Sequence, residues 1–144
     1  MVRLILKFLS LLLLLHFAAY YHPVAADICI SDLLKVNHIQ GRVVALWNGG
    51  ENPIANAEVE LKEFWDDEWH TKIKVNTDEQ GFFRIDNIPS GKYQMLVSSR
   101  VFHSFGAYVS LKSSKSNPDK EIIVSLGMGI HDCGSARVQK IKRK

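Results

Sequence analysis

The stretch "NAEVELKEFWDDEWHTKIKVNT", residues 56–77, decides the fold, because apolar and polar residues alternate on both sides of a run of acids. Alternation with a period of two is typical of β-strands that bury one face and expose the other. The positions predicted to face the core are Ala57, Val59, Leu61, Ile73 and Val75. Asp66, Asp67 and Glu68 interrupt both runs, so they are predicted to form the tip of a hairpin joining the two strands.

The same alternation recurs along most of the chain, in the segments "HIQGRVVALW", "GFFRID", "KYQMLVS", "AYVSLKS" and "KEIIVSLGM". Turn signals rich in Gly, Pro, Asn and Asp separate these segments, and helical periodicity is almost absent. Seven short strands at this spacing predict an all-β chain, folded as a seven-stranded antiparallel Greek-key β-sandwich.

Residues 1–26 are predicted to be a cleaved signal peptide. Arg3 and Lys7 precede the apolar run "LSLLLLLHFAAYY", and the small residues "VAA" end the segment just before Asp27. The apolar run has the length of a signal peptide rather than of a membrane span. An uncleaved anchor is the alternative, which the interruptions by Lys7 and two histidines disfavour. The chain is therefore expected to be secreted or periplasmic, with no membrane span after signal removal.

The charge of the chain is concentrated at its C-terminus. Residues 27–136 carry a net charge of −4, whereas residues 137–144 contain five basic residues and no acid. A body with a negative net charge is not expected to bind nucleic acid electrostatically. Residues 27–37 are expected to form a short N-terminal turn, residues 38–136 the sandwich, and residues 137–144 a basic tail that frays.

Two cysteines remain after the signal segment, Cys29 and Cys133, near the two ends of the exported chain. In an oxidising compartment an even pair predicts a disulfide. Closing a loop of about 100 residues contributes roughly 4–5 kcal/mol to the free energy of unfolding in the chain-entropy account. A metal or redox site is the alternative, but the two cysteines do not form a CxxC motif.

Three motifs occur in a fixed order in the middle of the chain, "PIANAEV" (53–59), "TDEQGFF" (77–83) and "IPSGKY" (88–93). With their spacing, they resemble the carboxypeptidase regulatory-like domains, which are β-sandwiches of prealbumin-like, or transthyretin-like, topology. The resemblance covers residues 39–126. It implies a domain that is an appendage or a free exported protein rather than a catalyst.

Each motif has a predicted structural role. Thr77, Asp78 and Gly81 are expected to form a hairpin in which the Asp78 carboxylate caps the amides of its own turn. Gly81 supplies a positive φ. Tyr93 is expected to bury its ring and to donate its hydroxyl to a nearby backbone carbonyl.

No arrangement of residues in the sequence predicts catalysis, a metal site or a cofactor. The four histidines after the signal segment are not paired at metal-binding spacing, and they are His38, His70, His103 and His131. No serine lies in a GxSxG context, and no glycine-rich phosphate loop follows a strand. A transthyretin-like relative hydrolyses hydroxyisourate with a tyrosine-rich C-terminal signature. This chain ends in "ARVQKIKRK", so the resemblance does not carry that activity over.

The predicted hairpin tip is the first candidate binding site, formed by Trp65, Asp66, Asp67, Glu68 and Trp69. In the structural interpretation the two tryptophans face each other across the ladder and contribute about 0.2–1 kcal/mol as a cross-strand pair. In the functional interpretation they are exposed and stack on a sugar or on an arginine of a partner. A calcium site is a weaker variant, because the EF-hand spacing of oxygen ligands is missing.

The second candidate site is the segment "SSRVFHSFGAY", residues 98–108, where Phe102, Phe105 and Tyr108 cluster around a glycine. These aromatic residues are expected to close one end of the core. If exposed, they would instead mark a protein contact.

These observations favour a non-catalytic, exported β-sandwich that binds an unknown protein partner or acts as a structural module of the envelope or extracellular space. A carbohydrate-binding module that uses Trp65 and Trp69 is the alternative, with a glycan as its partner. A transthyretin-like hydrolase is the least favoured interpretation.

Overall fold

The chain folds as a β-sandwich in a computed structural model that describes residues 29–47, 49–112, 114, 118–127 and 133–141. These residues contain no helix and form ten strands. The strands are β1 Cys29–Val36, β2 Ile39–Trp47, β3 Gly50–Pro53, β4 Glu58–Trp65, β5 Glu68–Asn76, β6 Phe82–Ile85, β7 Gly91–Ser98, β8 Phe105–Leu111, β9 Lys120–Leu126 and β10 Ser135–Lys140.

The strands form two mixed sheets. The first sheet has the order β1-β8-β7-β4-β5. The second has the order β10-β9-β2-β3, and β6 also pairs with β2. The register places β6 beside the beginning of β2 and β3 beside its end, so two short strands share one edge of β2. In the first sheet β5 is an edge strand, so the β4–β5 hairpin predicted from residues 56–77 lies at one edge of that sheet.

The core lies between the two sheets and contains the residues that alternation assigned to it. Ala57, Val59 and Leu61 are fully buried, whereas Ile73 and Val75 of the edge strand are partly buried and pack against the same cluster. The largest fully buried side chains are Tyr93, Phe83, Leu61, Met95 and Ile122. The two edges of the first sheet differ, because β1 buries Leu34 and Val36 whereas the core-facing side chains of β5, Ile73 and Val75, are only partly buried.

Two details of the predicted architecture are wrong, the number of strands and the direction of their pairing. The described residues form ten strands rather than seven, and two strand pairs, β1–β8 and β2–β9, are parallel rather than antiparallel. Alternation reports which face of a strand is buried, but it does not report which strand lies beside it. The parallel neighbours are therefore set by how distant segments pack.

The two ends of the described chain are also more ordered than predicted. Residues 29–36 form β1 rather than a short turn, and Leu34 and Val36 are buried in the core. Arg137 to Lys140 belong to β10 rather than to a frayed tail. Both segments are edge strands, and each pairs with only one neighbour among the described strands.

The turn after β5 crosses between the sheets instead of closing a hairpin. The Thr77 hydroxyl donates to the Ile54 carbonyl at 2.6 Å and accepts from the Ala57 amide at 2.9 Å, so it ties this turn to the beginning of β4. The predicted cap is confirmed, because Asp78 accepts from the amides of Gln80 and Phe82. Gly81, as predicted, has a positive φ of 71°.

At the beginning of β7, Tyr93 buries its ring and bonds a backbone carbonyl, as predicted. Tyr93 is 2% exposed, and its hydroxyl donates to the Pro89 carbonyl at 2.7 Å. Burial raises the pKa of the Tyr93 hydroxyl above its usual value. This bond fixes the loop next to the β4–β5 tip, since Tyr93 pairs directly with Glu63 of β4.

The β4–β5 tip and Trp47 lie at opposite ends of the sandwich. Trp47, at the end of β2, lines a cavity together with Ile54 and Ala55, which precede β4. The tip follows Trp65, the last of the eight residues of β4. An eight-residue strand spans about 25 Å. A ligand bound at one end is therefore remote from the other.

Candidate functional site

The β4–β5 hairpin ends in a two-residue turn. Asp66 and Asp67 have positive φ values of 52° and 59°, which is the geometry of a type I′ turn. Aspartate tolerates this conformation better than most residues because its short side chain bonds locally. The predicted tip is confirmed in position, although Glu68 is the first residue of β5 rather than part of the turn.

The two tryptophans of the hairpin do not face each other. A two-residue turn pairs Trp65 with Glu68 and Phe64 with Trp69. Successive residues of a strand point to opposite faces, so Trp65 and Trp69 lie on opposite faces of the hairpin. The predicted pairing of the two tryptophan rings is therefore wrong, and the prediction failed because it treated Glu68 as part of the turn.

One face of the hairpin end carries Trp65. Its ring stacks on His70 with centroids 4.0 Å apart and planes 27° from parallel. Trp65 is nevertheless 57% exposed. Glu68 lies directly opposite Trp65, and Glu63 lies directly opposite His70, so all four side chains share this face. We call Trp65, Glu68 and His70 the Trp65 face.

The other face carries a row of three aromatic rings, Phe64, Trp69 and Tyr108, which we call the aromatic strip. The Trp69 ring lies 5.2 Å from that of Phe64 and 6.0 Å from that of Tyr108. Trp69 is half-buried between them, whereas Phe64 is 53% exposed. The strip extends from β5 to β8, so Trp69 leans across the two strands between them.

Phe102, Phe105 and Tyr108 do not form one surface. Phe105 is buried in the core, and Phe102 is partly buried and packs against the core. These two residues therefore close the core, as the structural interpretation expected. Tyr108 points out of the first sheet and joins the aromatic strip instead, because it lies an odd number of positions from Phe105 along the same strand.

The charges of the hairpin change along its length. Lys72 pairs with Glu63, and Lys74 pairs with Glu58 and Glu60. The hydrogen bond that Lys72 donates to the Glu63 carboxylate raises the pKa of Lys72, and the one that Lys74 donates to Glu58 raises the pKa of Lys74. Glu60 also forms a salt bridge with Lys62. The carboxylates along the strands are thus neutralised by lysines.

The tip has no such compensation. Among the described residues, none of the carboxylates of Asp66, Asp67 and Glu68 forms a salt bridge. All three side chains are exposed. The hairpin end therefore combines exposed aromatic rings with three negative charges that no basic side chain of the described chain neutralises.

The described histidines do not assemble a site. No group of three histidine, cysteine, aspartate or glutamate side chains in the described ranges is placed to hold a metal ion. His70 lies under Trp65, and its Nε2 atom is buried with no hydrogen-bond partner among the described residues. His38 lies in the turn between β1 and β2, and His131 lies outside the described residues.

Sequence reasoning missed Phe64, His70 and Trp47 as surface features. Phe64 and His70 lie within residues 56–77, where a two-residue turn at Asp66 and Asp67 pairs Phe64 with Trp69. Trp47 is 54% exposed and lines an open cavity of about 360 Å³ with Phe102 and Pro53. The glycines that follow Trp47 indicated a turn but not a cavity.

Within the part of the chain that the structure describes, no helix is long and apolar enough to cross a membrane. No protein family model matches the chain, and no curated protein sequence matches it.

Proposed function

We propose that the chain is an exported, non-catalytic β-sandwich that binds a protein partner through the end of its β4–β5 hairpin. The observation that carries this proposal is the exposure of large aromatic side chains on both faces of one projecting hairpin. Phe64 and Trp65 are each more than half exposed, and Tyr108 is 38% exposed. Tryptophan and tyrosine side chains are over-represented among the residues that dominate binding energy at protein interfaces.

The position of these side chains favours recognition over core stability. Trp65 adds little to the core from a position beyond the last core residue of β4, which is Leu61. A soluble protein rarely retains several exposed aromatic residues in one place without a contact that covers them. The hairpin also continues past the pairing with β7, which ends at Glu63, so it projects from the sheet.

The all-β fold and the three sequence motifs together support a proposed family for the chain. The all-β sandwich is compatible with a prealbumin-like, carboxypeptidase regulatory-like domain of Greek-key topology, and we propose that family for the chain. Export through a signal peptide at residues 1–26 belongs to the same proposal. That segment lies outside the described residues.

A disulfide between Cys29 and Cys133 is part of this proposal. Cys133 is not a free thiol. Cys29 begins β1, Cys133 precedes β10, and these two edge strands contact each other across the sheets. The bond would join the two edges at one side of the sandwich.

The carbohydrate-binding alternative required Trp65 and Trp69 on one face, where two rings could stack on a sugar together. Their placement on opposite faces of the hairpin removes that two-ring platform. The protein-binding function does not need coplanar tryptophans, because a partner can wrap a projecting hairpin from both faces.

Site-specific photocrosslinking tests the proposed function. Phe64 is replaced by benzoylphenylalanine in the full chain, which is expressed in its source cells and irradiated. A specific adduct is expected, and Trp65→Ala in the same background should abolish it. The matched control places the same crosslinker at Val101, which is 80% exposed and lies in the loop between β7 and β8. Identical adducts from both positions, or none from Phe64, would contradict a binding site at the hairpin end.

A further inference from the structure

We propose that the Trp65 face receives an arginine side chain from a basic segment of the partner. The inference rests on the proposed function and names the chemistry of the partner. Three observations carry it: the stack of Trp65 on His70, the register that places Glu68 opposite Trp65, and the unneutralised carboxylates of the tip.

The Trp65 ring is held in place before any ligand arrives. One side of the indole stacks on His70 at 4.0 Å, so the ring cannot rotate freely. The 57% exposure of Trp65 leaves its remaining surface open to solvent. An immobilised, exposed indole binds a cation over its face without the loss of rotamer entropy that a mobile ring would incur.

Glu68 supplies the second half of the arginine site. Directly opposed residues on antiparallel strands share a face, with their Cβ atoms about 5 Å apart. A guanidinium group that stacks on Trp65 therefore lies within reach of the Glu68 carboxylate. Arginine is planar and presents a fork of N–H donors, so it can stack and bond a carboxylate at once. Lysine carries a compact point charge without a planar face or a fork of donors, so it is expected to bind this site more weakly.

The charge of the hairpin end favours a basic occupant over an apolar or acidic one. Asp66 and Asp67 lie beside Glu68, and no described lysine or arginine pairs with any of them. An apolar partner would have to desolvate these carboxylates without compensating them, which costs free energy. A basic segment neutralises them and is attracted to them over a Debye length.

Titration with defined peptides tests the inference. The probe is an extended peptide of nine residues with three arginines, added to the full chain at low ionic strength. The signals of the three tryptophan indole N–H groups are followed by NMR. The Trp65 signal is expected to shift, whereas the Trp47 signal at the opposite end of the sandwich should not. Matched peptides carry lysine or uncharged citrulline at the three positions.

Two variants separate the inference from a loss of folding. Trp65→Ala and Glu68→Gln are each expected to weaken binding of the arginine peptide by about tenfold. Glu68→Gln keeps the size of the side chain and is the safer variant. Glu79→Gln removes an exposed charge from another turn and should leave binding unchanged.

Four results would overturn the inference. Three of them are equal binding of the lysine peptide, a Trp47 shift as large as that of Trp65, and unchanged binding by Glu68→Gln. The fourth is self-association of the full chain through Trp65 with no response to the arginine peptide. If the Phe64 crosslink persists while the arginine peptide does not bind, the proposed function stands and only the arginine inference fails. If the Phe64 crosslink and the binding of the arginine peptide are both absent, the proposed binding site at the hairpin end is contradicted as well.

Discussion

Trp65 stacks on His70, although the sequence places two tryptophans, Trp65 and Trp69, symmetrically around the acidic run. The symmetry in the sequence is broken by the register, because Trp65 pairs with Glu68 and Trp69 pairs with Phe64. The two tryptophans consequently have different environments. Trp65 is an exposed ring at the hairpin end, and Trp69 is the half-buried centre of the aromatic strip.

This division predicts different effects on stability. Trp69→Ala removes two aromatic contacts and should lower the free energy of unfolding by about 1–3 kcal/mol. Trp65→Ala removes one contact of a mostly exposed ring and should cost about 0.5–1 kcal/mol. Denaturant unfolding of both variants provides the measurement. A larger loss for Trp65→Ala would show that the stack on His70, rather than the aromatic strip, stabilises the hairpin.

Thr77→Val should destabilise the sandwich strongly while keeping the shape of the side chain. The hydroxyl makes two buried hydrogen bonds, to the Ile54 carbonyl and from the Ala57 amide, and valine leaves both groups without this partner. Unpaired buried groups cost about 1–3 kcal/mol each, so a total of about 2–6 kcal/mol is expected for the two groups. Thr71→Val is the matched control, because the Thr71 side chain is exposed. Equal losses in the two variants would contradict the assigned role of Thr77.

Gly41→Ala should prevent the parallel pairing of β2 with β9. A Cβ atom at Gly41 would lie 1.9 Å from the Ile122 carbonyl oxygen, which belongs to backbone that cannot move aside without breaking the ladder. The variant is expected to lose more than about 3 kcal/mol or to accumulate unfolded. Gly50→Ala is the control, since the nearest atom there is 3.8 Å away. Circular dichroism and thermal unfolding distinguish the two.

The raised pKa of Tyr93 predicts a loss of stability at alkaline pH. The folded state holds the hydroxyl proton more tightly than the unfolded state, because burial disfavours the phenolate. The contribution is complete below the unfolded-state pKa of about 10 and is lost as the pH rises through the folded-state pKa. Tyr93→Phe should lower stability at neutral pH by about 1 kcal/mol, through the lost bond to Pro89, but should decline less above pH ~10. Parallel alkaline curves for the variant and the parent chain would refute this assignment.

The proposed disulfide predicts a redox dependence of stability. Reduction, or Cys29→Ser with Cys133→Ser, should lower the free energy of unfolding by up to about 4–5 kcal/mol. Peptide mapping under non-reducing conditions should recover one peptide pair joined through these two cysteines. Two free thiols in the oxidised, folded protein would eliminate the bond.

The sequence alone determined the local features of this protein. The alternation around Val59 and Leu61, the acidic turn, the Asp78 cap and the Tyr93 bond to Pro89 all depend on residues close together in the chain. Such features follow from side-chain period and turn chemistry, which act over a few residues. The sequence therefore predicted an all-β sandwich with a hairpin tip at residues 66–68, one residue longer than the turn that the structure has.

Only the tertiary structure decided which strands are neighbours and which rings meet. The parallel pairs β1–β8 and β2–β9 join segments more than 70 residues apart, and no local pattern encodes them. The Tyr108 ring contacts Trp69 because β8 and β5 lie in one sheet. In the sequence, 38 residues lie between Trp69 and Tyr108. Trp65 and Trp69 lie on opposite faces because the turn has two residues rather than three. A change of one residue in the register moves a side chain from one face of a strand to the other.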